Sequence, residues 1–159
     1  MRIAIDSDSN GLQLKNILFS FFQGQEQENT EIENLNYLSR YPEQDYPDVA
    51  LNMAGEILTN RYDRGILICG TGLGMAICAN KIPGIYAGSC SDVYSAERLA
   101  KSNDANILTL GANVIGPELA KKIVMAWVSS DFEGGRSLPK VKRIREIEAA
   151  VLNKEILFE

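Results

Sequence analysis

The chain has 159 residues, of which 45% are hydrophobic and 23% are charged, as in an ordinary soluble globular protein, and its length suits a single domain over residues 1–159. Its formal net charge of −5 argues against nucleic acid or an anionic membrane surface as the partner, because both require a basic surface. The absence of histidine excludes Ser-His-Asp and Cys-His catalysis and most zinc sites, so any proton transfer must use other side chains or water.

Strand and helix patterns alternate along the chain. Short apolar runs predict strands, and apolar residues at helical spacing predict helices. In chain order these are a strand over 2–5, a helix over 12–22, a strand over 30–38, a helix over 49–60, a strand over 65–69, a helix over 74–81, a strand over 85–90, a helix over 93–101, a strand over 106–110, a helix over 117–128 and a final helix over 141–152. Polar segments that contain glycine or proline predict loops over 24–29, 40–48 and 131–138. The alternation predicts a three-layer α/β fold, in which helices cover both faces of a five-stranded parallel sheet, with an extra C-terminal helix.

Polar or glycine-rich segments follow four of the predicted strands, at 6–11, 69–74, 91–92 and 111–113. Open parallel sheets bind their ligands at the carboxyl ends of the strands. We therefore expect the functional site at this edge of the sheet.

The segment 69–74, Cys-Gly-Thr-Gly-Leu-Gly, is the strongest candidate for chemistry. Its backbone N–H groups, at the start of a predicted helix, suit an oxyanion or a phosphate. It lacks the third glycine of the dinucleotide-binding fingerprint and the Gly-Lys-Ser/Thr of a Walker loop. Cys69 ends the strand beside these N–H dipoles, a setting that favours a reactive thiolate. The alternative is a plain strand-to-helix turn with a cysteine in the core.

The other two cysteines, Cys78 and Cys90, lack this setting and are interpreted as packing residues. An odd number of cysteines, 3, without a visible signal peptide predicts a reducing, cytoplasmic location and no disulfide framework. No apolar run approaches the roughly 20 residues that a membrane-spanning helix needs, so we expect no membrane partner.

Concentrated positive charge follows the pair Gly134-Gly135. Arg136 and Lys140 lie four residues apart, so both could bind one phosphate group. A solvated helix start would explain the same spacing, and the spacing alone leaves both interpretations open.

Further motifs accompany the cysteine-glycine loop and the basic segment. They are Asp8 before Gly11, Asp45-Tyr46-Pro47, Ala79-Asn80-Lys81, Tyr94-Ser95-Ala96, Asn103-Asp104, Gly111 with Gly116, and Glu133-Gly134-Gly135-Arg136. In order and spacing they resemble the ribose-5-phosphate isomerase B / galactose-6-phosphate isomerase family, from Ile3 to about Ile147. The resemblance implies a Rossmann-like α/β/α domain in a homodimer or homotetramer, with the active site at the subunit interface and the helix at about 141–152 in subunit contact. It also implies aldose–ketose isomerisation of a phosphorylated sugar through a cis-enediolate, without a metal or a cofactor.

The resemblance assigns catalytic roles to residues of two segments, 6–11 and 69–74. The family uses as its base either a cysteine at the position of Cys69 or a glutamate at the position of Met75, and this chain has the cysteine. Thr71 and the loop amides would stabilise the enediolate oxygens. Asp8 would bind a substrate hydroxyl and help to move the oxygen-bound proton. The loop amides that would stabilise the enediolate oxygens are those of Gly70, Gly72 and Gly74.

The same resemblance implies substrate-binding residues outside the glycine loop. Asn103 would contact the sugar oxygens, and Arg136 and Lys140 match the family's two phosphate-binding basic positions. Lysine at the second position keeps the charge but loses the bidentate fork of arginine. Ser9 and Ser102 fall at two further substrate-binding positions.

Four positions depart from the family pattern: serine replaces the usual histidine at Ser9, Ser102 and Ser137, and Asn113 replaces an arginine. The histidine at the position of Ser102 is assigned to opening the furanose ring, and serine cannot perform that acid–base work near neutral pH. A tetrose 4-phosphate needs no ring opening, because its phosphate occupies the oxygen that would close a five-membered ring. We therefore hypothesise that the chain interconverts erythrose 4-phosphate and erythrulose 4-phosphate. The alternatives are a ribose-5-phosphate isomerase that forms ribulose 5-phosphate, and a catalytically silent partner subunit or sugar-phosphate-binding module.

Overall fold

The computed structural model describes residues 1–24 and 30–154 of the chain. Its strands pair in parallel to form one five-stranded sheet. They are β1 (Arg2–Ser7), β2 (Glu31–Asn34), β3 (Arg64–Cys69), β4 (Ala87–Ser89) and β5 (Ile107–Gly111). The spatial order is β2-β1-β3-β5-β4, so β1, β3 and β5 occupy the centre of the sheet. The predicted five-stranded parallel sheet is thereby confirmed.

Helices follow or connect the strands. They are α1 (Leu12–Gln23), α2 (Tyr37–Arg40), α3 (Tyr46–Leu58), α4 (Leu73–Ala79), α5 (Val93–Lys101), α6 (Pro117–Val128) and α7 (Leu138–Leu152), with a 3-10 turn at Gly135–Ser137. None of the helices in the described ranges combines the length and the apolar character needed to cross a bilayer.

Alternation along the central strands divides the core into two layers. On β3, Ile66 and Ile68 pack with apolar residues of α1, α5 and α6, whereas Leu67 and Cys69 pack with those of α3 and α4. Successive residues of a strand point to opposite faces, so one buried strand serves both layers. The predicted three-layer α/β/α arrangement is confirmed, and the side chain of Cys69 belongs to the α3 and α4 layer.

The helix predicted over 49–60 begins three residues earlier, at Tyr46, so the predicted loop over 40–48 is too long. A capping box starts the helix: the Asp45 carboxylate accepts from the Tyr46 amide at 2.8 Å, and Asp48 accepts from the Asp45 amide at 3.4 Å. Pro47 lies in the first turn, where its missing N–H leaves no hydrogen bond unmade.

The two edge strands are shorter than predicted. The strand expected over 30–38 ends at Asn34, and the separate helix α2 follows it. The strand expected over 85–90 spans only Ala87–Ser89. Each of these edge strands is hydrogen-bonded to one neighbour only: β2 pairs with β1, and β4 pairs with β5. Fewer of their residues are therefore held in an extended conformation.

Residues 131–138, predicted as a loop, contain the 3-10 turn and the first residue of α7. The helix expected from 141 therefore begins at Leu138, with Pro139 in its first turn. The loop predicted over 24–29 lies, beyond Gly24, outside the described residues.

Candidate active site

The carboxyl ends of the three central strands bring three of the four predicted segments side by side: 6–11, 69–74 and 111–113. Asp8 directly follows β1, and its amide donates to the Ile68 carbonyl of β3 at 3.1 Å. Cys69 ends β3, and its carbonyl accepts from the amide of Ala112, just after β5, at 2.8 Å. The structure thus joins the Asp8 loop and the cysteine-glycine loop at one edge of the sheet, as the sequence predicts.

Cys69 is 5% exposed and lies beneath the first turn of the glycine loop. The Gly72 amide donates a hydrogen bond to the Cys69 sulfur, with a nitrogen–sulfur distance of 3.0 Å. A backbone N–H directed at the sulfur is a suitable donor to a thiolate. The thiolate is the charged form that a cysteine base has before it accepts a proton.

The glycine loop fits tightly between its neighbours. Gly72 has φ +79°, and a Cβ there would lie 2.7 Å from the Ser89 hydroxyl oxygen. A Cβ on Gly74 would lie 2.7 Å from the Tyr46 ring. The Thr109 hydroxyl on β5 donates to the Gly72 carbonyl at 2.9 Å. These contacts fix the loop, so its amides need little reorganisation to meet a developing oxyanion.

Two other members of the loop face a more open environment. Thr71 is exposed, and its hydroxyl oxygen accepts from the Leu73 amide at 3.3 Å. The Gly70 carbonyl accepts from the backbone N–H of Asn113 at 2.9 Å. Asn113, where the family pattern has arginine, therefore adjoins the glycine loop.

Asp8 is 3% exposed, with its carboxylate held by its own loop. One carboxylate oxygen accepts from the Gly11 amide at 2.8 Å, and the other lies 3.5 Å from the Asn10 amide nitrogen. A Cβ on Gly11 would lie 2.3 Å from the Ile68 carbonyl oxygen, so only glycine fits beside β3. Asp8 and the exposed Ser9 line a cavity of about 250 Å³.

A second group of predicted residues lines another cavity, of about 390 Å³, between α5 and the region of α7. We call it the α5–α7 cavity. Arg136 and Lys140 make no ion pair and no side-chain hydrogen bond with any described residue. The lining residues are Tyr94, Arg98, Ser102, Asn103, Arg136, Ser137, Lys140, Val141 and Ile144.

The predicted site residues thus form two groups on one chain. Neither Cys69 nor Asp8 lines the α5–α7 cavity, and within residues 1–24 and 30–154 none lines both that cavity and the one beside Asp8. The spacing of residues in the sequence does not separate the two groups, whereas the resemblance implies an active site at the subunit interface.

Sequence reasoning missed a buried ion pair beneath Asp8. Lys15 of α1 is 2% exposed and Asp6 of β1 is 1% exposed, with 3.7 Å between the ammonium nitrogen and a carboxylate oxygen. Lys15 also donates to the Asn36 side chain at 2.9 Å, and Asp6 accepts from the Tyr37 amide at 3.0 Å. Burial raises the pKa of Asp6 and lowers the pKa of Lys15.

The sequence contains a signal for this pair. Lys15 lies three residues before Leu18 and one after Leu14, on the apolar face of α1. A charged residue on a buried helix face requires a partner, and Asp6 is the carboxylate within the neighbouring apolar strand. Both side chains line the cavity next to Asp8.

The sequence profile of the family described as Ribose/Galactose Isomerase matches residues 3–144. The chain belongs to this family. It is 47% identical over 144 residues to a D-erythrulose-4-phosphate isomerase of Pectobacterium atrosepticum, which covers 91% of this chain and 93% of that protein. It is 50% identical over 151 residues to a ribose-5-P isomerase B of Listeria innocua, and this alignment covers 93% of this chain and 97% of that protein.

Solved structures agree with this assignment. The ribose-5-phosphate isomerase B of Clostridium thermocellum aligns with a TM-score of 0.83 at 41% identity, over 95% of this chain and 99% of that one. The family and fold predicted from the sequence are both confirmed. The roles given to individual residues stay predictions.

Proposed function

We propose that this family member is an aldose–ketose isomerase of a small phosphorylated sugar, with Cys69 as the base. The observation that supports it is the hydrogen bond of 3.0 Å from the Gly72 amide to the buried Cys69 sulfur, at the carboxyl edge of the sheet. The family membership supports the same reaction class.

In the proposed mechanism, the Cys69 thiolate removes the proton from the carbon next to the substrate carbonyl. The electron pair of that C–H bond forms the carbon–carbon double bond of a cis-enediolate, and the carbonyl electrons move onto its oxygen. The Thr71 hydroxyl and the loop amides stabilise this oxygen. Asp8 moves the oxygen-bound proton between the two oxygens, and the Cys69 thiol returns its proton to the neighbouring carbon.

For the substrate we propose a tetrose 4-phosphate. Ser102 lines the α5–α7 cavity at the position where a ring-opening histidine is expected, and the chain has no histidine elsewhere. An open-chain sugar phosphate loses nothing by that change. The relative from Pectobacterium atrosepticum, named a D-erythrulose-4-phosphate isomerase, supports the shorter sugar.

A second candidate, ribose 5-phosphate, is favoured by the relative from Listeria innocua, which is named a ribose-5-P isomerase B. The proposal predicts that kcat/KM for erythrulose 4-phosphate exceeds that for ribose 5-phosphate at least about tenfold. Steady-state kinetics of the purified chain alone would measure both. A higher value for the pentose would contradict the tetrose proposal, and no activity on either would favour the silent-subunit alternative.

One variant sharpens this comparison. Ser102→His restores an imidazole at the position assigned to ring opening, so it is expected to raise kcat/KM for ribose 5-phosphate relative to the tetrose. Ser129→His, on an exposed serine outside both cavities, is the matched control.

We also propose that the active site is completed by a second copy of the chain. Cys69 and Asp8 form one group, whereas the cations Arg136 and Lys140 line a separate cavity. The helix α7 beside that cavity exposes the apolar residues Ile144, Ile147 and Val151 and buries only Val141. An apolar face of this kind suits a subunit contact.

Subunit mixing tests this sharing. Cys69→Ala and Arg136→Ala should each lose most of the activity, but a randomly paired mixture should recover about a quarter of wild-type activity, because half the dimers then contain one intact site of two. A mixture of Cys69→Ala with Asp8→Asn is the control, since both changes fall in the same group and leave no intact site. If native mass spectrometry shows exchange and the first mixture stays inactive, the shared site is wrong.

A further inference from the structure

We infer that Arg98 is a third phosphate-binding cation of the α5–α7 cavity and supplies the guanidinium fork that Lys140 lacks. This inference rests on the proposed function, since it assigns the phosphate of the substrate to that cavity.

Arg98 is placed for this role by helix geometry. Tyr94, Arg98 and Ser102 lie four residues apart along α5 and its C-terminal end, so their side chains share one face. Arg136 and Lys140, also four residues apart, line the same cavity from the 3-10 turn and α7. Three cations therefore border one space, and no carboxylate is among its lining residues.

The guanidinium of Arg98 is held at one end. Its Nη2 donates to the Glu97 carboxylate at 2.6 Å, and its central carbon lies 5.9 Å from the centre of the Tyr94 ring. These contacts reduce the mobility of the side chain before any ligand arrives. A preorganised guanidinium loses less entropy for each hydrogen bond that it forms.

The same guanidinium has a donor without an acceptor. Its Nε is buried and has no hydrogen-bond partner among the described residues. A buried donor left unpaired is unfavourable, so an acceptor is expected in the complete site. Phosphate oxygens in the cavity that Arg98 lines are acceptors of the matching charge and geometry.

Glu97 does not fully neutralise Arg98. The same carboxylate oxygen of Glu97 also lies 3.0 Å from the Lys101 ammonium, which in turn lies 3.4 Å from Glu133. One carboxylate is thus shared between two cations. A dianionic phosphate would meet the remaining positive charge together with that of Arg136 and Lys140.

The test is the affinity of the full-length protein for inorganic phosphate, measured by calorimetry, with KM and kcat for erythrulose 4-phosphate measured in parallel. Arg98→Met keeps the length of the stem and removes the guanidinium, and it should weaken phosphate binding and raise KM about tenfold. Arg98→Lys should give an intermediate value, because it restores the charge without the fork. Arg143→Met removes an exposed arginine of α7 that pairs with Glu146 outside the cavity, and it should change neither quantity.

Glu97→Gln separates ligand binding from a structural role. If Arg98 serves only as the partner of Glu97, the two variants should have the same effect on KM. If Arg98 binds phosphate, Glu97→Gln should keep or improve the phosphate affinity. Unchanged phosphate affinity in a folded Arg98→Met protein would overturn the inference. Binding of inorganic phosphate needs no turnover. Arg98-dependent binding without isomerase activity would therefore contradict the proposed function but not the phosphate-binding role of Arg98.

Discussion

Replacing Cys69 with alanine is expected to lower kcat by a factor of about 10²–10⁴, the usual contribution of a positioned general base. KM for the sugar phosphate should change little, because the cations proposed to bind the phosphate line the α5–α7 cavity, which Cys69 does not line. Steady-state kinetics measure both constants. In deuterated solvent, the variant should also lose deuterium incorporation at the carbon next to the carbonyl.

Cys90→Ala is the matched control. Cys90 is 6% exposed, much like Cys69, but it packs in the opposite layer of the core, with residues of α5 and α6. Burial, with a smaller effect of Asp92, raises the pKa of Cys90 to about 11, so this thiol stays protonated near neutral pH. The control should turn over at close to the wild-type rate. If Cys69→Ala keeps normal turnover and exchange, Cys69 is not the base.

The position of Cys69 could be predicted because its signals are local. An apolar run ends at the cysteine, and glycines at 70, 72 and 74 follow it without interruption. The start of α3 is equally local but was predicted wrongly, since Pro47 suggests a loop when the capping role of Asp45 is overlooked. Cap chemistry decides that boundary more than composition does.

The separation of the site into two groups could not be predicted from spacing. Arg136 lies 67 positions after Cys69 in the chain, and the sequence does not say on which side of the sheet it returns. That depends on how α5, α6 and α7 pack, which is tertiary information. Arg98 was missed for a related reason, because an arginine beside a glutamate on an amphipathic helix normally indicates a solvated face.

Lys15→Met is expected to lower the free energy of unfolding by about 3–5 kcal/mol, the usual cost of removing one partner of a buried ion pair. It leaves the Asp6 carboxylate, 1% exposed, with backbone donors as its described hydrogen-bond partners. Urea unfolding at neutral pH measures the change. Lys122→Met, on an exposed lysine of α6, is the control and should change stability very little.

The stability that Lys15→Met loses relative to the wild type should depend on pH in a defined direction. Burial already raises the pKa of Asp6 in the folded wild type, and removing the ammonium of Lys15 raises it further. Below the ordinary pKa of an aspartate, Asp6 is protonated in both the folded and the unfolded states, so the buried charge costs nothing. The stability of Lys15→Met should therefore be lost as the pH rises from that value through the raised folded pKa. A deficit that grows toward acid pH would contradict this account.

The double variant Asp6→Asn/Lys15→Met distinguishes a charge effect from lost packing. An asparagine oxygen can still accept from the Tyr37 amide, and no charge remains at positions 6 and 15. The double variant should thus be more stable than Lys15→Met alone, because the second change removes the charge that the first exposes to the apolar interior. If the stability losses of Asp6→Asn and Lys15→Met simply add in the double variant, the stem of Lys15 fills space and its charge contributes little.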